Sequence, residues 1–504
     1  MTEDGVDEVP GQVGRLFMEA IRLDMEEVEP ALDRARRALR HGAGGFIVFG
    51  GALPDVARLT ERLRGEADRP LWLGADLERG AGQQFGGAAT LPPPAGLAAH
   101  ADPEEATRVA ARITALEARE AGVNWVFAPV LDLDVEPDNP IVGTRSFGAD
   151  PEVVARLGET WIRACQDAGV AACAKHFPGH GRTTEDSHLA FPVVRADREV
   201  LEADLLPFRR AAPRVAGMMT AHVGYPALGA EDVPATMEPG ILRGLLREEM
   251  GYEGLVISDA LVMEGFGAGG ATATEGWLAV RALRAGCDVL LYPGDLPQTV
   301  RTVRQAAEQD AELRTVVAEA LERSRRALER FGPDGGGDGP DDGADVREEI
   351  ALEARAGDLA LGCVAARGEG PSAVRDRGRP LRLRVVSDDQ GPGAAGGPGD
   401  AFAAELRERG WTVEAEGDGG GAGRPGQRVV LLEATPRAWK GRAALSETAR
   451  REVLEALGED GTGYLVLFGH PRILDQLGVG GACAWSSEAV MERAAARWLD
   501  GRVG

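Results

Sequence analysis

Between residues 16 and 332 short apolar runs alternate with amphipathic stretches, and no other feature of this 504-residue chain narrows its fold as much. An apolar run of four to eight residues between turn signals fits a strand buried on both faces. Repeated strand and helix alternation lays such strands side by side in a parallel sheet. Eight runs occur: LFMEAIR from Leu16, GGFIVFG from Gly44, PLWLGADL from Pro70, NWVFAPVLDLD from Asn124, AACAKHF from Ala171, AGMMTAHVGY from Ala216, GLVISDAL from Gly254 and DVLLYPG from Asp288. Helical patterns such as PDVARLTERLRGEA and EATRVAARITALEAREAG separate them, several closed by glycine as a C-cap requires.

Polar residues punctuate the ends of these runs. Asp76, Asp132, Asp134, Lys175, His176, His222 and Asp259 all fall at or near C-terminal ends, the rim on which a (β/α)8 barrel builds its active site. The expected fold is therefore α/β, a (β/α)8 TIM-type barrel over 16–332. An open doubly wound sheet is the alternative that the pattern allows. Pro333 to Val346, PDGGGDGPDDGADV, is almost without apolar residues, so a linker is expected over 333–348. Beyond it LRLRVVSDD, QRVVLLEA and GYLVLFG read as buried strands, and AFAAELRERG and SETARREVLEALG as helices. A smaller α/β sandwich domain is expected over 349–504. Its Gly-rich loops lack the G-x-x-x-x-G-K-[ST] order that cradles phosphate.

Composition removes several function classes. The net charge is −25 with no basic run, which argues against nucleic acid and anionic membrane as partners. Five widely spaced cysteines form neither a disulfide framework nor a zinc ribbon. The N-terminus has no basic region followed by an apolar core, and no run of eighteen apolar residues occurs, so a cytoplasmic protein is expected.

Four of the seven histidines, His176, His180, His188 and His222, crowd into one stretch, while His41, His100 and His470 stand alone. Lys175-His-Phe-Pro-Gly-His-Gly181 starts on a strand end and runs on as a loop through Asp186-Ser-His188. Across that short spacing the Asp186 carboxylate can accept from one imidazole nitrogen of His188 and raise the basicity of the other, an acid/base pair. Asp259 ends an apolar strand with a carboxylate, which serves either as a site residue or as the cap of the next helix.

These motifs resemble those of family 3 glycoside hydrolases, and more narrowly the bacterial β-N-acetylglucosaminidase branch: KHFPGHG, the D-S-H triplet and ISDAL match in order and spacing from residue 16 to about 300. The resemblance implies a retaining, exo-acting β-N-acetylglucosaminidase acting through a covalent glycosyl-aspartate, with Asp259 as nucleophile and His188, oriented by Asp186, as general acid/base. It further implies that Asp76, Arg145, Lys175, His176, Met219 and His222 bind the sugar, although Met219 reads equally well as core. No cofactor and no metal are implied. The implied partner is a small saccharide derived from cell wall or chitin, and the sequence leaves the oligomeric state, monomer or homodimer, open. Where the family shows D-Q-E-G-G-R and a further arginine, this chain has Asp76-Leu-Glu-Arg-Gly-Ala, with Gln84 in the arginine's place.

Four rivals stand beside this reading. A neutral histidine would not repel an anionic acceptor, which admits a β-N-acetylglucosaminide phosphorylase. A β-glucosidase or β-xylosidase of the same family is the next, although such relatives take their acid from the second domain. Histidines and aspartates on a rim also fit a metal-dependent barrel hydrolase, and a sugar-binding protein without turnover is the most distant alternative.

Overall fold

The computed structural model describes residues 9–185, 191–267, 274–332, 346–367, 376–388, 399–415, 427–434, 444–458 and 463–502. Asp186 and His188 lie outside the described residues, as does most of the Gly/Pro/Asp-rich segment.

All eight apolar runs are strands: β1 (Phe17–Arg22), β2 (Gly45–Phe49), β3 (Trp72–Ala75), β4 (Trp125–Val126), β5 (Ala171–Phe177), β6 (Gly217–Thr220), β7 (Leu255–Ala260) and β8 (Val289–Leu291). They pair in parallel, in sequence order, and β8 returns to β1 to close the barrel. The amphipathic stretches form the helices between them, including Leu53–Glu66 and Pro103–Glu120. Helix starts are fixed locally. Asp150 caps Pro151–Asp167 by accepting from the amides of Glu152 and Val153, and Asp310 caps Ala311–Phe331 in the same way.

Side chains alternate across a strand, so every second residue faces the barrel interior. Those residues form one cluster that draws on every strand: Met18 and Ala20, Ile47, Trp72, Trp125, Ala171 and Cys173, Met219, Leu255 and Ile257, Val289 and Leu291. Trp72 and Trp125 meet with ring centroids 4.6 Å apart, and Phe331 from the helix Ala311–Phe331 joins the same cluster. Each large side chain buried there contributes about 1.5–3 kcal/mol, which is why the interior is a packed core and not a channel.

The start of β8 carries a buried carboxylate. Asp288 accepts from Arg247 at 2.5 Å, Arg323 at 2.7 Å and the amide of Val256 at 2.8 Å. This is the N-terminal end of the barrel.

Contact grouping divides the chain into two compact units, Met1–Ala89 with Thr107–Glu136 and Gly148–Gly343, and Thr90–Ala106 with Pro137–Phe147 and Ala344–Gly504. The second unit contains a six-stranded sheet in the order β11-β10-β12-β13-β14-β9. Its members are β9 (Ala365–Arg367), β10 (Leu381–Ser387), β11 (Val413–Ala415), β12 (Gln427–Ala434), β13 (Gly463–Gly469) and β14 (Gly481–Cys483). Only β9 runs antiparallel to its neighbour. The three long strands were legible as apolar runs; the three-residue strands β9, β11 and β14 are too short to show a period. All five cysteines are buried and free. Among the described residues no helix is long and apolar enough to cross a membrane.

Candidate active site

Following the inward alternation up β3, β5 and β7 leads from Trp72, Cys173 and Ile257 to Asp76, Lys175 and Asp259. The three side chains therefore project into the barrel mouth just above the apolar core. Their charges converge there as well, since the Cys173 thiol beneath is raised by burial and feels Lys175, Asp76 and Asp259 in turn.

Two irregularities aim these groups. Between Ala174 and Phe177 on β5 three steps are matched by two on β6, and between Ile257 and Ala260 on β7 three are matched by two on β8. An extra residue of this kind bends a strand and redirects its side chains. Lys175 and His176 occupy the first bulge, and Ser258 and Asp259 the second.

Lys175 is only 3% exposed, and its ammonium lies 2.6 Å from Asp76 and 2.7 Å from Glu78. An ammonium taken out of water alone costs several kcal/mol, so the two carboxylates are what make its burial tolerable. They are not equivalent. Glu78 is 4% exposed and Asp76 28%, so Glu78 is the buried anchor of the lysine while Asp76 is the more open of the two. The more open Asp76 carboxylate is suited to accept from the hydroxyls of a polar ligand.

Beside this triad Asp132 fastens the loop that follows β5. Its carboxylate lies 2.6 Å from Nδ1 of His176 and accepts from the amides of His176 at 3.2 Å and His180 at 2.6 Å. Burial opposes charge on Asp132, but the His176 ring and these donors hold its carboxyl below the ordinary range. Bound through Nδ1, the His176 ring has its other nitrogen left to face elsewhere. His180 is turned inward onto the hydroxyl of Thr183 at 2.8 Å. Burial, reinforced by His176, pushes it down to about 4, so it is neutral near pH 7.

The same loop is tied at three further points. Tyr225 donates to the carbonyl of Gly179 at 2.8 Å, Arg182 reaches Asp204 at 2.6 Å, and Gly181 packs so closely that a Cβ there would lie 2.0 Å from the Leu133 carbonyl oxygen. Gly179 takes φ +128°, which favours glycine. These contacts explain the KHFPGHG pattern physically, and they fix the root from which the chain runs on to Asp186 and His188.

Of the other expected sugar ligands, His222 is buried at the end of β6, with Nδ1 2.8 Å from the Thr236 hydroxyl and Nε2 3.2 Å from the carbonyl of Ala260, next to Asp259. Met219 packs in the barrel's interior cluster. Arg145 belongs to the stretch Pro137–Phe147 of the second unit, where its guanidinium donates to the Ile141 carbonyl at 3.3 Å. Gln84 accepts from the amide of Gly50 at 3.3 Å. Glu78 had no assigned role in the sequence, although its D-x-E spacing from Asp76 was visible. Asp132 was legible as a rim residue but not as the clamp of the loop. Among the described residues no group of three His, Cys, Asp or Glu side chains is placed to hold a metal ion.

The model of the glycosyl hydrolase family 3 N terminal domain matches residues 18–327, the whole barrel and its rim. The chain belongs to glycosyl hydrolase family 3. Within the family it is 39% identical over 285 residues to a β-hexosaminidase of Thiobacillus denitrificans, a match spanning 54% of this chain and 77% of that protein. Among solved structures it is similar to a family 3 β-N-acetylglucosaminidase from Paenibacillus sp. str. FPU-7, with 28% identity, a TM-score of 0.83, and coverage of 98% of this chain and 96% of the other. A β-glucoside phosphorylase shares the fold alone, with a TM-score of 0.81 over 100% of this chain and 96% of the other at 19% identity. As a family 3 glycoside hydrolase the chain acts on saccharides.

Proposed function

We propose that this glycoside hydrolase is a β-N-acetylhexosaminidase that removes terminal β-linked N-acetylglucosamine with retention of configuration. The observation that carries the reading is the inward-facing set of Asp259, Asp76 and Lys175, which offers a nucleophile opposite a hydroxyl-binding pair. The names of the relatives support the choice of sugar.

In this reading Asp259 attacks the anomeric carbon as His188 protonates the leaving oxygen, giving a glycosyl ester and a free aglycone. His188, now neutral and oriented by Asp186, takes a proton from water, which attacks the anomeric carbon and frees Asp259. Two inversions give net retention. Asp76 accepts from sugar hydroxyls while Lys175, held by Glu78, donates to them. His176, turned by Asp132, offers its remaining nitrogen. The resemblance adds Arg145, Met219 and His222 to the sugar ligands, and cell-wall or chitin fragments as the source of substrate.

The test is release of 4-nitrophenol from its β-N-acetylglucosaminide and its β-glucoside, with and without inorganic phosphate, identifying the sugar product. Selective turnover of the N-acetyl substrate to free sugar is expected. Sugar 1-phosphate as product would make the enzyme a phosphorylase, and turnover of neither substrate overturns the reading.

A further inference from the structure

The alternation that places Asp76, Lys175 and Asp259 in the mouth has two more members. On β1 the inward residues Met18 and Ala20 are followed by Arg22, and on β2 Ile47 is followed by Phe49. Arg22 and Phe49 are direct partners in the β1/β2 register, level with Asp76, because Ile47 pairs with Gly74 two residues below each. Neither has a part in the chemistry above.

Tyr292, just past β8, completes the arc. Continued alternation after Leu291 would turn it away from the interior, but its backbone is left-handed, φ +49°, and its ring packs on the interior cluster. A non-glycine residue held in that region is a local cost that the surroundings must offset, and such positions gather at binding sites. The Phe49 and Tyr292 rings lie 6.0 Å apart, and the Arg22 guanidinium sits 5.1 Å over Phe49 with Nη1 3.4 Å from the Tyr292 hydroxyl. Asp24 pins Arg22 through two hydrogen bonds of 2.9 and 2.8 Å. All three side chains are half-buried, as walls of a pocket are and core residues are not.

We propose that Arg22, Phe49 and Tyr292 form a second wall of the sugar pocket, an aromatic and guanidinium surface that packs on the C–H face of the bound N-acetylglucosamine ring and meets one of its hydroxyls. The inference takes its ligand from the function proposed above. Asp24 offsets the charge of Arg22, so the wall suits an uncharged ring rather than an anion. Aromatic carbon supplies area that the polar Asp76 and Lys175 side lacks, and β8, β1 and β2 lie between the Asp259 strand and the Asp76 strand. A ring reaching from one carboxylate to the other passes along this arc.

The experiment measures N-acetylglucosamine binding by calorimetry, together with KM and kcat on the 4-nitrophenyl β-N-acetylglucosaminide, for wild type and the Phe49→Ala, Tyr292→Phe and Arg22→Met variants. Loss of the Phe49 ring is expected to weaken binding and raise KM about tenfold, with kcat within about threefold, because the contact serves ground and transition states alike. Arg22→Met keeps the apolar stem of a side chain that is 31% exposed, so it reports on the wall even if Phe49→Ala fails to fold. Binding by the folded variants within about twofold of wild type overturns the proposal. A wild type that binds the sugar in a wall-dependent way without turning over the glycoside leaves the wall standing and removes the activity. A wild type that does not bind the sugar removes both.

Discussion

At the N-terminal end of the barrel Asp288 is met by two arginines and a backbone amide; at the C-terminal end Asp132 is met by an imidazole and two backbone amides. Both carboxylates are buried and both are multiply bonded, yet the two ends behave differently. Around Asp288 the partners close on a carboxylate that is only 1% exposed. Around Asp132 they hold a loop whose neighbours, Asp76 and Asp259, are half-exposed. Burial of charge therefore does not by itself mark a site. What marks it is charge fastened on one side and offered to solvent on the other, as Asp76 is where it meets Lys175 at the bulge of β5.

The comparison breaks most decisively at Asp259. Asp259→Asn removes the charge and keeps the shape, so the rate of 4-nitrophenol release is expected to fall at least about 10³-fold, some 4 kcal/mol, with the melting temperature unchanged. A large loss of melting temperature instead would place Asp259 with the structural carboxylates. Asp288→Ala is the mirror experiment. It leaves two arginines facing a buried void, and denaturant unfolding should show a loss of about 3–5 kcal/mol while kcat/KM per folded molecule stays the same.

His180 sharpens the contrast through pH. Its folded value, about 4, lies below the ordinary histidine value of 6.5. Between those pH values the unfolded chain takes up a proton that the native state refuses, so this group makes stability fall as pH drops from about 6.5 to about 4 and level off below, by about 3 kcal/mol in all. His180→Asn, which keeps a partner for Thr183, should flatten that part of the curve in melts taken across the range. An unchanged slope would show that His180 charges freely in the fold. The smallest effect is expected from Glu78→Gln. It keeps an acceptor for Lys175 but removes the anchoring charge, and should raise KM about threefold to tenfold with little change in kcat. A kcat loss of 10²-fold would move Glu78 from anchor to chemistry.

Much of this is legible in the sequence alone. The eight barrel strands announce themselves because a strand buried on both faces needs unbroken apolar residues, and Asp76, Lys175, His176 and Asp259 are visible as polar residues that interrupt such runs at their ends. The bulges are not legible, since one extra residue on one strand of a pair leaves no trace in either strand alone. For the same reason nothing local shows that Asp132 grips two residues more than forty positions away, or that Arg22 meets Phe49 and Tyr292. Met219 was ambiguous because a methionine in an apolar run fits a core and a pocket equally well, and its packing in the interior cluster depends on neighbours from other strands. The assignment of Arg145 to the second unit has no local signal either.

The five buried cysteines have a use unconnected with sugars. Cys165, Cys173 and Cys287 lie in the barrel unit, and Cys363 and Cys483 in the other. Burial raises each thiol's pKa, with Cys363 and Cys483 pushed up to about 12, so none reacts readily while its surroundings stay closed. A thiol reagent therefore labels each position at the pace at which that part of the protein opens. The chain carries its own set of clocks, with Cys173, two residues before Lys175 on β5, timing the breathing of the barrel interior.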